Sequence, residues 1–260
     1  MVRVLAVSDV VEEGLWADIG PARGADLILG CGDLPFEYLG YLMNALDAPL
    51  VFVPGNHDPD LSGYRVSRAG LTLRAGLPAR PPWPDGAVSA DGRVVDVAGL
   101  RIAGLGGCRR YRPGPNQYSD RQQARRARRL AARVWLRRPA SQRQLRGRAR
   151  HVDVLLTHAP PRGVGDGSDP VHQGFRALNL LAARLRPALL LHGHVDPDPA
   201  DQRDHTLGHT LVRNATGWQL FDLEPGTGRV TDVTGHHSPG HHSPGHHRAT
   251  PYRTGQHNAC

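Results

Sequence analysis

Five short apolar runs in this sequence each end in residues that can hold a metal ion or move a proton. Ser8-Asp9 follows Val2–Val7, Gly32-Asp33 follows Ala25–Leu29, and Gly55-Asn56-His57-Asp58 follows Leu50–Val53. Thr157-His158 follows Val152–Leu156, and His192-Gly193-His194 follows Ala188–Leu191. Carboxylate, carboxamide and imidazole groups suit Mn2+, Fe2+ or Zn2+, and a shared carboxylate can bridge two ions about 3.5–4 Å apart. Each piece is weak alone, since an Asp after a strand is usually a cap or turn residue and a single His is usually a satisfied surface or core group. His192 and His194 form a stronger pair, because alternate residues of an extended segment face the same way and both imidazoles can reach one site.

The elements that must position these groups follow from periodicity. The five apolar runs are short and continuous, as strands buried on both faces are. Helical stretches intervene at about Glu12–Ile19, Phe36–Leu46, Arg121–Arg138 and Phe175–Leu185, giving strand-helix alternation at the front and back of the chain. Arg93–Val97 and Leu100–Ala103 flank Ala98-Gly99 as a hairpin, and Thr206–Arg213 and Gly217–Leu223 read as closing strands. The pattern predicts a layered α/β protein, a mixed sheet or pair of sheets covered by helices. Ligands in such folds gather at the C-terminal ends of the strands, where all five clusters lie.

Composition bounds the alternatives. With 260 residues, 39% apolar, 22% charged and 5% aromatic, the chain reads as one water-soluble globular unit over 1–225. No apolar run approaches the roughly 20 residues of a membrane span, so no membrane partner is expected. Ser8-Asp9 interrupts any apolar leader core, and Cys31, Cys108 and Cys260 are odd in number and widely spaced, so a reducing cytoplasm is the expected location. All 32 basic residues are arginine, and 15 of them lie between Arg109 and Arg150 beside a single acid, Asp120. On a helix over Arg121–Arg138, with Ser119-Asp120 as N-cap, they would make an outer face of guanidinium that attracts polyanions such as nucleic acid, or is a plain solvated face. From Gly235 the chain repeats Gly-His-His-Ser-Pro, and residues 226–260 are expected to be a disordered His-rich tail that binds metals adventitiously.

In order and spacing, Asp9, Gly32-Asp33, Gly55-Asn56-His57-Asp58, His158 and His192-Gly193-His194 make the chain similar to the calcineurin-like metallophosphoesterase superfamily, in particular its small bacterial members. The resemblance runs from Asp9 to His194 and implies a layered α-β-β-α sandwich. It implies that Asp33 bridges two metal ions, that Asp9 and His194 complete one site, and that Asn56, His158 and His192 complete the other. It gives His57 no metal and assigns it the phosphate and the leaving oxygen. The activity implied is hydrolysis of a phosphomonoester or phosphodiester by metal-activated water, with one or two ions of Mn, Fe or Zn. Cys31, two residues before Asp33, then reads as a packed small residue.

One position departs from the superfamily pattern, which has a histidine two residues after the first Asp. This chain has Val11 there, and Val cannot bind a metal. Glu12 or Glu13 could substitute; otherwise the outcomes open are a weakly held first ion, a one-metal enzyme, or a catalytically weakened scaffold that binds polyanions through the Arg-rich helix. Substrate-wall candidates are Arg110, Tyr111 and Arg162, together with Arg109, Arg112, Tyr118 and His172. Gly163-Val164-Gly165-Asp166-Gly167 lacks a helix start and a Gly-Lys-Ser/Thr ending, and reads as a mobile loop near the site.

Overall fold

The computed structural model describes residues 1–67, 71–137, 152–197 and 204–236. In chain order, β1 (Val2–Ser8), α1 (Glu13–Ala17), β2 (Leu27–Gly30), α2 (Phe36–Leu46) and β3 (Leu50–Phe52) make the front half. Three short strands, β4 (Tyr64–Val66), β5 (Thr72–Arg74) and β6 (Leu77–Pro78), form a small separate sheet. Then come β7 (Val88–Ser89), β8 (Val94–Val97), β9 (Leu100–Leu105), β10 (Cys108–Arg109), β11 (Gln117–Tyr118) and α3 (Asp120–Leu136). The back half holds β12 (Val154–Thr157), α4 (Arg176–Leu185), β13 (Leu189–His192), β14 (Asp204–Leu207), β15 (Thr210–Asn214), β16 (Gly217–Leu223) and β17 (Val230–His236).

Two six-stranded sheets result, ordered β17-β16-β1-β2-β3-β7 and β14-β15-β13-β12-β9-β8. The period-two alternation of their side chains explains the layering. Val4 and Ala6 of β1 meet Val154, Leu156, Leu189 and Leu191 of the second sheet in one central cluster. The intervening residues face outward: Leu5, Val7 and Ile28 pack with Leu39 and Leu42 of α2, while Leu155 and Leu190 pack with Leu130 of α3 and Leu178 of α4. The fold is therefore the expected α-β-β-α sandwich, and strands buried on both faces need continuous apolar runs.

Differences from the periodicity reading are local. The helix expected over Glu12–Ile19 stops at Ala17, because Asp18 is extended and its carboxylate takes the Gly20 N–H at 2.8 Å, starting a separate 3-10 turn at Gly20–Ala22. The single strand expected over Thr206–Arg213 is a hairpin, β14 and β15, turning at Gly208-His209. The expected boundary at 225 lies just before β17, which pairs antiparallel with β16 and carries the first sheet into the segment expected to lack structure. The Gly-His-His-Ser-Pro repeats from 237 onward lie outside the described residues, as do the arginines between 138 and 150.

Helix α3 starts as expected: Ser119 Oγ accepts the Gln122 N–H at 3.3 Å and Gln122 Oε1 accepts the Ser119 N–H at 2.8 Å, a reciprocal cap. It buries Ala127, Leu130, Ala131 and Val134. Several of its arginines serve the fold. Arg126 grips Asp91 at 2.7 Å and lies 3.9 Å over the Tyr118 ring, while Arg133 and Arg137 donate to the Gly92 and Val94 carbonyls. No helix among the described residues is long and apolar enough to cross a membrane.

Candidate metal centre

The loops after β1, β2, β3, β12 and β13 converge at one end of the sandwich. Three parallel neighbours, β1, β2 and β3, deliver Asp9, Asp33 and Asn56-His57; the parallel pair β12 and β13 delivers His158 and His192-Gly193-His194 from the opposite sheet. Asp33, His158 and His194 bring one ligand atom each within 4.8 Å of one another. Asp9, Asp33, Asn56, His57 and His194 line a cavity of about 350 Å³, together with Tyr111, Val171, His172 and Asp196.

Backbone geometry at the ligands is unusual. Asp9, Asp33 and His194 all have positive φ, at 61°, 58° and 69°. Non-glycine residues seldom adopt this left-handed region, and its recurrence at three converging side chains marks a site where the surroundings impose the conformation. Close packing supplies that imposition. At Gly193 an added Cβ would lie 2.0 Å from Ser8 Oγ and 2.1 Å from Asp9 Oδ2, and at Gly32, with φ +100°, one would lie 2.4 Å from the Gly55 nitrogen. Only glycine lets the loops approach this closely.

Hydrogen bonds hold each donor in place. Asp9 Oδ2 accepts from Ser8 Oγ at 2.6 Å and from the His194 N–H at 2.9 Å. Asp33 Oδ1 accepts the His57 N–H at 2.8 Å. Asp58 Oδ2, buried beneath, accepts both the Gly55 N–H at 2.7 Å and the Asp33 N–H at 3.0 Å. Asp58, the last residue of Gly-Asn-His-Asp, thus clamps the β2 and β3 loops together. A carboxylate directly following the ligand-bearing Asn-His pair was the available signal.

His158 is the electrostatic centre. Its Nδ1 lies 2.8 Å from the Cys31 carbonyl, and its Nε2 lies 3.0 Å from Asn56 Oδ1 and 3.3 Å from Asp33 Oδ2. Acceptors at both ring nitrogens favour the doubly protonated imidazolium. Burial alone would lower its pKa, but the bond and charge of Asp33 outweigh it and raise the value to about 9. Asp33 is the counterpart: burial pushes it up, and His158 more than offsets this to bring it below the ordinary range. Asp9 is raised by burial. Burial holds His192 and His194 neutral, with pKa values lowered to about 4.

This donor set fits a divalent cation. A buried carboxylate pair balanced by one imidazolium is a place where a metal can displace the Nε2 proton of His158, while the Nδ1–H bond to Cys31 keeps the ring oriented. His194 Nε2 lies 2.9 Å from the Val171 carbonyl, and donation there leaves Nδ1 with its lone pair. His192 stands outside the 4.8 Å cluster; its Nδ1 lies 3.0 Å from the Gly193 carbonyl, and its buried Nε2 has no hydrogen-bond partner among the described residues.

The remaining candidates divide. Tyr111 lines the cavity and its hydroxyl accepts from Asn56 Nδ2 at 3.3 Å. Arg110 instead donates to the Gln117 carbonyl and to Gln122 Oε1, and Arg162 to Gln173 Oε1 at 2.6 Å, and neither is part of the cavity wall. Val11 is half-buried against the α1–α2 cluster. Glu12 is buried with Oε1 against Gly217, Glu13 is exposed at the start of α1, and neither substitutes for the missing histidine at the cavity. Cys31 is fully buried.

Comparison with known proteins agrees with this fold. Residues 2–197 match the calcineurin-like phosphoesterase family. One solved crystal structure is 15% identical, with a TM-score of 0.57 over 88% of this chain and 97% of that one. The crystal structure of TT1561 of Thermus thermophilus is 16% identical, with a TM-score of 0.50 over 85% of this chain and 94% of that one. No curated protein sequence matches. The matched region begins in the first strand and ends just past the last histidine of the cluster, and the chain belongs to the calcineurin-like phosphoesterase family.

Proposed function

We propose that the chain hydrolyses a phosphomonoester or small phosphodiester, using one or two divalent ions of Mn, Fe or Zn. The observation that carries this reading is the convergence of Asp33, His158 and His194, of which Asp33 and His194 line one cavity with Asp9, Asn56 and His57. When bound, divalent cations acidify water and neutralise phosphate oxygens, so no Ser or Cys nucleophile is needed. Asp33 would be the carboxylate shared between the ions; Asp9 and His194 would serve one, and Asn56, His158 and His192 the other.

His57 completes the chemistry from the cavity rim. Its side chain is exposed while its backbone N–H is tied to Asp33 at 2.8 Å, so the imidazole is aimed by the same loop that carries Asn56. Its ring N–H donates a proton to the leaving oxygen. Tyr111 contributes a hydroxyl to the wall, against which the ester group lies. The buried, unpaired thiols of Cys31 and Cys108 suit a reducing compartment, and we place the protein in the cytoplasm.

The alternative, a polyanion-binding scaffold without turnover, draws less support. Arg126 and Arg133 of α3 and Arg137 at its C-cap are engaged with Asp91, Gly92 and Val94, which accounts for part of the helix's charge as anchoring.

Hydrolysis of a chromogenic phosphodiester and a phosphomonoester with added Mn2+ tests the reading. His57→Ala is expected to lower kcat by about 10²–10⁴-fold with metal content unchanged, as for loss of a general acid. Asp33→Asn is expected to lose both metal and activity. Metal-loaded wild type inert on every phosphate ester, with oligonucleotide binding that falls steeply with salt and ignores chelators, would establish the scaffold reading instead.

A further inference from the structure

An ion held by Asp9, Asp33 and His194 would lack a second nitrogen donor, because position 11 is hydrocarbon and Glu12 and Glu13 stand away from the cavity. Another histidine lines the same cavity from a different segment. His172, on the segment between β12 and α4, lines the cavity with its ring centroid 5.4 Å from that of His194. Its Nδ1 lies 2.8 Å from Asp169 Oδ2. A carboxylate on one ring nitrogen fixes the tautomer and leaves the other, Nε2, as a lone-pair donor, the usual dress of a metal-binding histidine.

The segment that carries it is braced, although its glycines suggest a mobile loop. Asp169 Oδ1 accepts the Val171 N–H at 2.9 Å and the His172 N–H at 3.2 Å. Asp166 accepts from Gly163 and Gly174, joining the two ends. The Val171 carbonyl touches His194 Nε2 at 2.9 Å, which registers the segment directly on a ligand. His172 lies outside the tight Asp33–His158–His194 cluster, and its side chain is 41% exposed, so it can turn onto an ion without moving buried groups.

We propose that His172 Nε2 is a ligand of the ion held by Asp9, Asp33 and His194, supplying from the β12–α4 segment the donor that Val11 cannot, with Asp169 as its positioning residue. This rests on the metal-dependent reading above. The test is equilibrium binding of Co2+ and Mn2+, read by visible absorption and by metal per chain after dialysis. It uses the full-length chain with the seven histidines from His236 onward replaced by serine, so that the repeats do not compete.

His172→Ala is expected to weaken at least one ion by about 10–100-fold, and Asp169→Asn to weaken it less in the same direction. Val11→His added to His172→Ala is expected to restore the affinity, a rescue that a role for His172 in substrate contact alone would not produce. Unchanged affinity for every ion in His172→Ala overturns the assignment and leaves the hydrolase reading standing. A parent chain that takes up no ion overturns the hydrolase reading itself.

Discussion

Asp58 separates a scaffold role from a ligand role in a single pair of variants. One oxygen, Oδ2, receives the Gly55 N–H at 2.7 Å and the Asp33 N–H at 3.0 Å. Asp58→Ala strands both donors in a buried place. Hydrogen bonds to a charged group are worth roughly 1.5–3 kcal/mol each, so the loss is about 3–6 kcal/mol, and Asp33 loses the bond that fixes its backbone. Asp58→Asn keeps an oxygen able to accept both N–H groups. Burial already pushes the Asp58 carboxyl up, and the neighbouring Asp33 charge pushes it the same way, so the protein gains little from the negative charge itself. The cost of the Asn variant is therefore about 1–2 kcal/mol, the difference between charged and neutral acceptors. Urea denaturation of the metal-free chain reads the stability, and Mn2+ titration reads the site. Taking tenfold per 1.4 kcal/mol as the scale, Asp58→Asn is expected to weaken metal binding by at most about 5–30-fold, and Asp58→Ala by about 10²–10⁴-fold. An Asn variant as defective in metal binding as the Ala variant would refute the clamp and make Asp58 a charge or ligand of the centre.

Two further outcomes follow from the same geometry. In the metal-free protein His158 has a pKa of about 9 against 6.5 when unfolded, so the folded state binds the extra proton. Its contribution is full below pH 6.5 and is lost as pH rises through 9, on the order of 3 kcal/mol; thermal melts in chelator across this window should show falling stability, and with Mn2+ the trend should reverse as the proton no longer competes. Gly193→Ala forces a methyl to within 2.0 Å of Ser8 Oγ and 2.1 Å of Asp9 Oδ2, and is expected to cost about 1–3 kcal/mol by denaturation and to weaken metal binding by displacing Asp9.

What the sequence made legible follows from the physics of each element. Strands buried on both faces have to be short continuous apolar runs, so β1, β2, β3, β12 and β13 were readable, and reading them placed Asp9, Asp33, Asn56, His158 and His192 at strand ends. The edges were not readable. The strands β4 to β6 are two or three residues long, partly exposed and Gly-punctuated, and nothing in their composition separates them from loop. Arg110 and Arg162 illustrate a different limit: a guanidinium's direction depends on which acceptors fold near it, and here Gln122 and Gln173 claim them. Tyr111 reached the cavity because the Gln117 side chain accepts the Tyr111 and Arg112 N–H groups, a contact invisible to any periodicity.

The histidines of the candidate site are shifted in opposite directions: burial lowers His192 and His194, whereas Asp33 raises His158. A core histidine that serves only packing is neutral and satisfied, whereas His158 is cationic in full burial, held so by Asp33 and the Cys31 and Asn56 oxygens. At His192 and His194 burial prevails, reinforced by the positive charge of His158, and both stay unprotonated at neutral pH with lone pairs available. A fold that keeps two imidazoles neutral and one charged, and holds Asp9, Asp33 and His194 at positive φ, accepts desolvation and backbone strain together at one spot. Divalent cations at this site would compensate the desolvated carboxylates: one held by Asn56, His158 and His192 would take the place of the His158 proton, and one held by Asp9 and His194 would use the positive-φ side chains as ligands, with Asp33 shared. The net buried charge is therefore expected to fall on metal binding, and a bound ion is expected to stabilise the fold.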